Sequence, residues 1–182
     1  DFSSFARIPV FAITNQIDAE EIVNTKLISP GFRIIGVSQR LFKEELPPLE
    51  KVYSHPDCGL FQYTQGKDVT IVCFNFSFPY GFQLAQSLKN SKGLESSLFS
   101  VSFTENPDWQ KIKENLALTQ KLVVIDDGKS GNFYSDKFLA EAVRNFSGKE
   151  IVIRRDFSKD WLAPNSDQLE IDYEKICSQL AS

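Results

Sequence analysis

The run Asp126-Asp127-Gly128-Lys129-Ser130-Gly131 is the stretch that most invites a chemical reading, because acids, an amine, a hydroxyl and two glycines crowd into six positions. It is not a phosphate loop: Gly-x-x-x-x-Gly-Lys-[Ser/Thr] is absent, and Lys129 stands between the glycines instead of after them. Nor is it a Gly-Asp-Gly metal and diphosphate motif, since Asp126 occupies the place of the first glycine. What remains is a sharp turn shaped by glycine and capped by acid, with room for a ligand or a subunit contact. Elsewhere the chemistry is thinner. Phe74, Phe76, Phe78, Tyr80 and Phe82 alternate as a base-stacking platform would, but Asn75, Ser77, Pro79 and Gly81 supply no basic surround. Core packing, with one or two rings left for a subunit interface, is the better reading. Asp156, Asp160 and Asp167 match no calcium loop. His55, the single histidine, lies between Ser54 and Pro56 as an expected exposed imidazole, and no Gly-x-Ser-x-Gly precedes a helix. The chain thus offers no catalytic acid, base or nucleophile set, and on its own residues it reads as a scaffold.

Composition narrows the field further. A net charge of -4 and the lack of Lys/Arg clusters argue against nucleic acid as the main partner. Cys58, Cys73 and Cys177 are far apart and form no Cys-x-x-Cys pair, which disfavours a metal site and fits a reducing compartment, the cytoplasm or one such as the mitochondrial matrix. Cys73 and Cys177 sit in apolar patterns and are expected to be buried. No apolar run approaches the roughly 20 residues that span a bilayer, so no membrane partner is expected. Within 182 residues, 42% hydrophobic, there is material for one good core. The absence of Met and the abrupt start at Asp1 suggest a piece of something longer.

The elements that would hold these residues follow from periodicity. Ile8–Thr14 reads as a strand, Asp18 with Glu21 as a capping box opening a helix through Ile22, Val23 and Leu27, and Phe32–Val37 as a second strand. That unit has the size of a parallel crossover and cannot bury both of its faces alone. Residues 47–67 have linker composition, with a short edge strand at Gly59–Tyr63. Then come strands at Val69–Phe76, Leu98–Phe103, Leu122–Ile125 and Glu150–Arg154. Between them the periodicity predicts helices: one carrying Phe82, Leu84, Ala85 and Leu88 after a Pro79-Tyr80-Gly81 turn, one opened by Pro107 with Trp109, Ile112 and Leu116 inward, and one N-capped by Ser135. Tyr173, Ile176, Cys177 and Leu180 mark a closing helix. The alternation predicts an α/β fold: a three-layer, open, mainly parallel sheet with helices on both faces, preceded by the small strand-helix-strand piece.

Residues 68–182 resemble the C-terminal domain of the transketolase superfamily of thiamine diphosphate enzymes. The resemblance rests on Gly66-Lys-Asp-Val-Thr-Ile-Val72, on Ala85 with Leu88, and on Thr119-Gln-Lys-Leu-Val-Val-Ile-Asp-Asp-Gly128 with Gly131 beyond. The ending Pro164-Asn-Ser-Asp-Gln-Leu-Glu-Ile-Asp-Tyr173 is most similar to 2-oxoacid (pyruvate or branched-chain) dehydrogenase beta subunits. Ile8–Leu46 is similar to the last strand, helix and strand of the superfamily's pyrimidine-binding domain, and Asp1–Arg7 faintly to a segment whose aromatic stacks on the cofactor. The chain departs from the family at Asn75-Phe76-Ser77, where a Gly usually ends the first strand.

The division implied is 1–46 as the tail of a pyrimidine-binding-like domain, 47–67 as linker and 68–182 as the transketolase C-terminal-like domain. The resemblance implies thiamine diphosphate and Mg2+ for a full assembly and none bound by this chain alone, since the activating Glu, the active-site His residues and the diphosphate motif belong to regions not represented. It also implies packing against a symmetry mate or a cofactor-binding partner subunit, and in the dehydrogenases against an acyltransferase core. Asp126, Asp127, Gly128, Gly131, Phe78 and Tyr80 are the interface candidates. Two other readings stay open: a subunit of a split transketolase or deoxyxylulose phosphate synthase-like enzyme, and a free-standing α/β module that binds a small ligand at the strand ends.

Overall fold

The computed structural model describes residues 8–43, 46–55, 57–102, 107–128, 133–155 and 169–182, with 42 and 43 described by their backbone alone. The chain begins with β1 (Val10–Ile13), α1 (Gln16–Ile22, continued by a π turn over Val23–Leu27) and β2 (Ile34–Val37). β1 and β2 pair in parallel, Val10 to Ile34 through Ile13 to Val37, so the crossover forms as its length requires. The capping box is real but shifted. Asn15 is the N-cap, accepting from the Ile17 and Asp18 amides, and Asp18 is the reciprocal third residue. Glu21 has no part in it, because Asn15 reaches the orphan amides one turn earlier.

Six strands make the larger sheet: β3 (Tyr53–His55), β4 (Leu60–Thr64), β5 (Val69–Phe74), β6 (Ser96–Val101), β7 (Lys121–Asp126) and β8 (Lys149–Arg154). Their spatial order is β3-β4-β6-β5-β7-β8. The pairs β6-β5, β5-β7 and β7-β8 are parallel, and β4 runs antiparallel to both of its neighbours. The stretch expected as linker, 47–67, therefore contributes two strands, and Gly59–Tyr63 is represented by a strand one place in from the edge. Pro and Gly punctuation around it conceals Leu60, Phe61, Gln62 and Tyr63, all buried between β3 and β6.

Alternate side chains along each strand enter two separate cores, as period 2 demands. Ile71, Cys73, Leu98, Val123 and Ile125 meet α2 (Phe78–Lys92) and α5 (Tyr173–Ala181) on one face. Val72, Phe74, Phe99, Leu122 and Val124 meet α3 (Gln110–Thr119) and α4 (Ser135–Phe138, continued by a π turn over Leu139–Val143) on the other. Leu122 to Ile125 are fully buried, as their unbroken apolar run predicts for a parallel strand covered twice. The α/β sandwich is thus mostly parallel with helices on both sides. Phe11 and Ile22 of the small unit join the α2/α5 core.

Local details differ from the periodicity in instructive ways. Pro79-Tyr80-Gly81 is no turn: it is the first turn of α2, with Pro79 where a missing amide costs nothing. A Cβ on Gly81 would lie 2.2 Å from Cys73 Sγ, so glycine is what lets α2 rest on β5. Ser135 is the first helical residue after an N-cap at Tyr134, and its hydroxyl is used elsewhere. Trp109 is the N-cap of α3, with Pro107 two residues ahead of it. His55 is half-buried in β3, its Nε2 3.9 Å from Cys58 Sγ, and not a freely exposed imidazole. All three cysteines are buried and free.

Candidate functional site

β5 and β7 are neighbours, yet the chain leaves β5 toward β6 on one side and returns to β7 on the other. In an open parallel sheet such a reversal opens a crevice beyond the carboxyl ends of the two strands, the common place for a ligand. The crevice falls between Asn75-Phe76-Ser77, after β5, and Asp126-Asp127-Gly128, at the end of β7. Register places Phe74 beside Asp126 and Asp126 beside Arg154.

Asp126 is fully buried and its two oxygens are saturated. Oδ1 accepts from Asn75 Nδ2 at 2.7 Å and from the Gly128 amide at 3.0 Å. Oδ2 accepts from the Ser135 amide at 2.9 Å and from its hydroxyl at 2.7 Å. Arg154 donates to the same hydroxyl at 2.7 Å, pairs with Asp136 at 2.7 Å and lies over the Phe133 ring. Asp127, nearly as buried, accepts from the Phe76 amide at 3.0 Å through Oδ1 and from Arg40 at 3.0 Å through Oδ2. Burial pushes the Asp127 carboxyl above its ordinary pKa, while the Arg40 guanidinium and the Phe76 amide pull it back and Asp126 adds to the rise.

Arg40 comes from the short 3-10 helix Gln39–Lys43 that follows β2. Besides Asp127 it donates to the Phe76 carbonyl at 2.9 Å, and its guanidinium lies 5.1 Å from the centre of the Tyr80 ring. The crevice is therefore occupied by the chain's own small unit. Asn75 has a φ of 57°, in the left-handed region where glycine is the usual resident and asparagine the best substitute. That accounts for the departure at this position: asparagine supplies the backbone shape and adds an amide that fixes Asp126.

Five of the six interface candidates are described, and four of those, Asp126, Asp127, Phe78 and Tyr80, are turned inward. Asp126 and Asp127 join segments of the same chain, and Phe78 is fully buried between Tyr63 and Phe82. Tyr80 is half-buried between Arg40 and the Leu169 amide, which donates to its hydroxyl at 2.9 Å. Gly128 is half-exposed at the rim, and Gly131 lies outside the described residues. Asp1–Arg7, Asp156, Asp160 and Pro164–Gln168, with Asp167 among them, lie outside too. Missed from sequence were Arg40, Asn75, Ser135 and Arg154 as members of one network. The left-handed requirement at a strand end was the one signal available, at Asn75.

Thiamine diphosphate, the cofactor the resemblance implies, does not fit this crevice. A diphosphate needs donors free to turn to it, whereas the Phe76, Gly128 and Ser135 amides already donate to carboxylates. Among the described residues no group of three or more His, Cys, Asp or Glu could hold a metal ion, and no helix is long and apolar enough to cross a membrane. A second concavity, about 870 Å3, lies at the carboxyl ends of β1 and β2. Ile13, Val37, Leu41, Leu46 and Leu49 line it with Asn15, Gln16 and Glu20, and among the described residues no cation lines it. It does not suit a diphosphate either.

Comparison with solved structures decides the architecture. The fold is transketolase-like. A split gene transketolase, described as an inactive β4 tetramer, superposes with a TM-score of 0.65 at 15% identity, over 95% of this chain and 56% of that one. Transketolase from Campylobacter jejuni gives 0.53 at 12% identity, over 98% of this chain and 25% of that one. The Pichia stipitis enzyme in complex with sedoheptulose 7-phosphate gives 0.52 at 16%, over 84% and 22%. The chain thus spans little more than half of the first of these relatives and about a quarter of the others. No family model matches the sequence, and no curated protein matches it. At such identities the likeness speaks for the fold.

Proposed function

We propose that this chain is the non-catalytic, C-terminal assembly part of a thiamine diphosphate-dependent enzyme, of the 2-oxoacid dehydrogenase beta type. It would pack on a cofactor-carrying polypeptide, with residues 68–182 as its C-terminal-like domain, 1–46 as the end of a pyrimidine-binding-like domain and 47–67 between them. The observation that carries this reading is the filled crevice. Where an open α/β sheet would receive a ligand, Arg40 is bound to Asp127, to the Phe76 carbonyl and against Tyr80. The carboxylates there accept from the Phe76, Gly128 and Ser135 amides and from the Asn75, Ser135 and Arg40 side chains. The Pro164–Tyr173 pattern favours the dehydrogenase over other members, and an acyltransferase core is then among the partners.

A second reading has its own support. The likeness to a split gene transketolase covers 95% of this chain, favouring a subunit of a split transketolase or related synthase that works only with its partner. Titration calorimetry of thiamine diphosphate with Mg2+ into the purified chain tests what the two readings share, and no heat of specific binding is the expected result. One-to-one binding would refute both. Co-expression with a polypeptide carrying a Gly-Asp-Gly motif then separates them, by recovery of oxoacid decarboxylation or of ketol transfer.

A further inference from the structure

The two acids that end β7 are held in different ways. Asp126 shapes its own turn: Oδ1 accepts from the Gly128 amide two residues on, and Asn75 and Ser135 lock the carboxylate from either side. The donors to Asp127 come from far along the chain. The Phe76 amide, 51 residues away, donates to Oδ1 at 3.0 Å, and the Arg40 guanidinium, 87 residues away, donates to Oδ2 at 3.0 Å. One donor on each oxygen, with arginine as one of them, is how a binding site receives a free carboxylate.

Both donors are fixed by groups other than Asp127. The Arg40 guanidinium donates to the Phe76 carbonyl at 2.9 Å and lies 5.1 Å from the centre of the Tyr80 ring. The Tyr80 hydroxyl in turn accepts from the Leu169 amide at 2.9 Å. The Phe76 amide belongs to the turn between β5 and α2. That turn is closed by the Ser77 amide on the Phe74 carbonyl at 3.2 Å and pinned by the Ser77 hydroxyl on the Ile125 carbonyl at 2.7 Å. A second guanidinium, Arg155, donates to the Asp127 carbonyl at 3.3 Å, so the local charge favours an anion. The Asp127 side chain is 5% exposed, and its carboxylate therefore fills a socket from which water is largely excluded. An ordinary ion pair collapses when one partner is cut back, whereas a preformed socket keeps its shape.

We infer that this socket is a receptor for a small free carboxylate, and that Asp127 keeps it filled as a tethered occupant. The contact is autoinhibitory. The side chain holds the place a free carboxylate would take, and its attachment to the end of β7 gives it an effective concentration that a millimolar anion does not match. The inference rests on the crevice geometry that carries the proposed function, and it is the same whichever enzyme the full assembly belongs to.

Urea unfolding of the full chain carrying Asp127→Gly, in sodium formate against sodium chloride at equal concentration, tests this. Removing the side chain vacates the room that one formate ion takes. The expected result is a saturable gain, with the unfolding constant falling about tenfold at 100 mM formate for a half-saturating concentration of about 10 mM. The same formate should change the parent by less than about twofold, because its own carboxylate competes. Asp127→Gly combined with Arg40→Gln should show no saturable gain, since the guanidinium is gone. Inorganic phosphate, tetrahedral and larger, should stabilise Asp127→Gly less than formate does. Asp127→Ala is the second variant, and folding of either one in formate but not in chloride is also the expected result. No saturable gain in either variant, an equal gain in the parent or in the double variant, or as large a gain from phosphate would each overturn the inference. The cofactor titration is made on the parent chain, whose socket is full, so the two readings fail separately.

Discussion

The two parallel units of this molecule are built alike and covered differently. In the large sheet, β5, β6 and β7 bury nearly every side chain between two helical layers, and Val69, Ile71, Val72, Val123 and Val124 have no exposed surface. In the small unit, the equivalent β2 leaves Ile34 38% and Val37 47% exposed. Both pair their strands in parallel across a helical crossover, so the difference lies in what packs on the second face. β7 has α3 and α4 on one side and α2 and α5 on the other. β2 has the α2/α5 core on one side only, through Ile35. Parallel strands thus need a second layer: among the described residues β5 to β7 have one along their length, whereas Ile34 and Val37 of β2 stay exposed beside the Phe76 ring that approaches Gly36.

The sharpest way to break this contrast is to remove one aromatic from each unit. Phe74 is fully buried, its ring 5.6 Å from Phe138 and 6.3 Å from Trp109. Phe74→Ala opens a cavity in the face shared by β5, α3 and α4 and should cost about 4–5 kcal/mol. Phe32→Ala, at an 89% exposed position, should change stability by no more than about 0.5 kcal/mol. Urea unfolding of both variants measures the difference, and comparable losses would mean that the small unit is covered after all.

Next in size is the joint between the units. Arg40 and Asp127 form a pair with side chains 12% and 5% exposed. Arg40→Ala strands the Asp127 carboxylate and takes a donor from the Phe76 carbonyl, a loss of about 3–4 kcal/mol for a buried pair broken on one side. Hydrogen exchange should show the loss in β1, α1 and β2 first, with β5 to β7 still protected. Uniform loss across the chain would show that the two units unfold as one.

The central sheet was legible because its cause is local. Leu122–Ile125 is a continuous apolar run, and only a strand covered twice buries four neighbours in a row. β4 was half legible: Leu60, Phe61 and Tyr63 have the composition of a strand, but Pro48, Pro56 and Gly66 around them spell linker. Register and partner choice decide the matter, and neither is written in a window of ten residues. The crevice was the least legible. Asp126 and Asp127 stood out as acids in a glycine turn, yet what each binds is set by Asn75, 51 residues away, and by Arg40, 87 residues away. Phe78 was misplaced for a simpler reason. The strand was expected to run to Phe76, with a Pro79-Tyr80-Gly81 turn ahead of the helix, whereas the strand ends at Phe74 and α2 starts at Phe78, which turns that ring into the core.

The last contrast concerns protonation, and it again singles out the small unit. Asp18 is fully buried, and burial pushes its pKa from 3.8 up to about 6, against the hydrogen bonds from the Thr14 hydroxyl and the Asn15, Thr14 and Ala19 amides that lower it. Asn15, which shares this network, donates to the Tyr63 hydroxyl at 2.7 Å and so ties the α1 cap to β4. For an acid whose folded pKa is raised, the folded state holds its proton longer than the unfolded chain does. The contribution to stability is thus fully present below pH 3.8 and is lost as pH rises through about 6. The full span is roughly 3 kcal/mol at 1.36 kcal/mol per unit. Asp18→Asn keeps an acceptor at the cap and has no proton to lose, so its stability between pH 4 and 7 should be flat where that of the parent falls. Thermal melts across that window read the difference directly. Parallel slopes for the two proteins would mean that Asp18 is already ionised throughout, held by its hydrogen-bond donors, and that α1 is as firmly seated as α2.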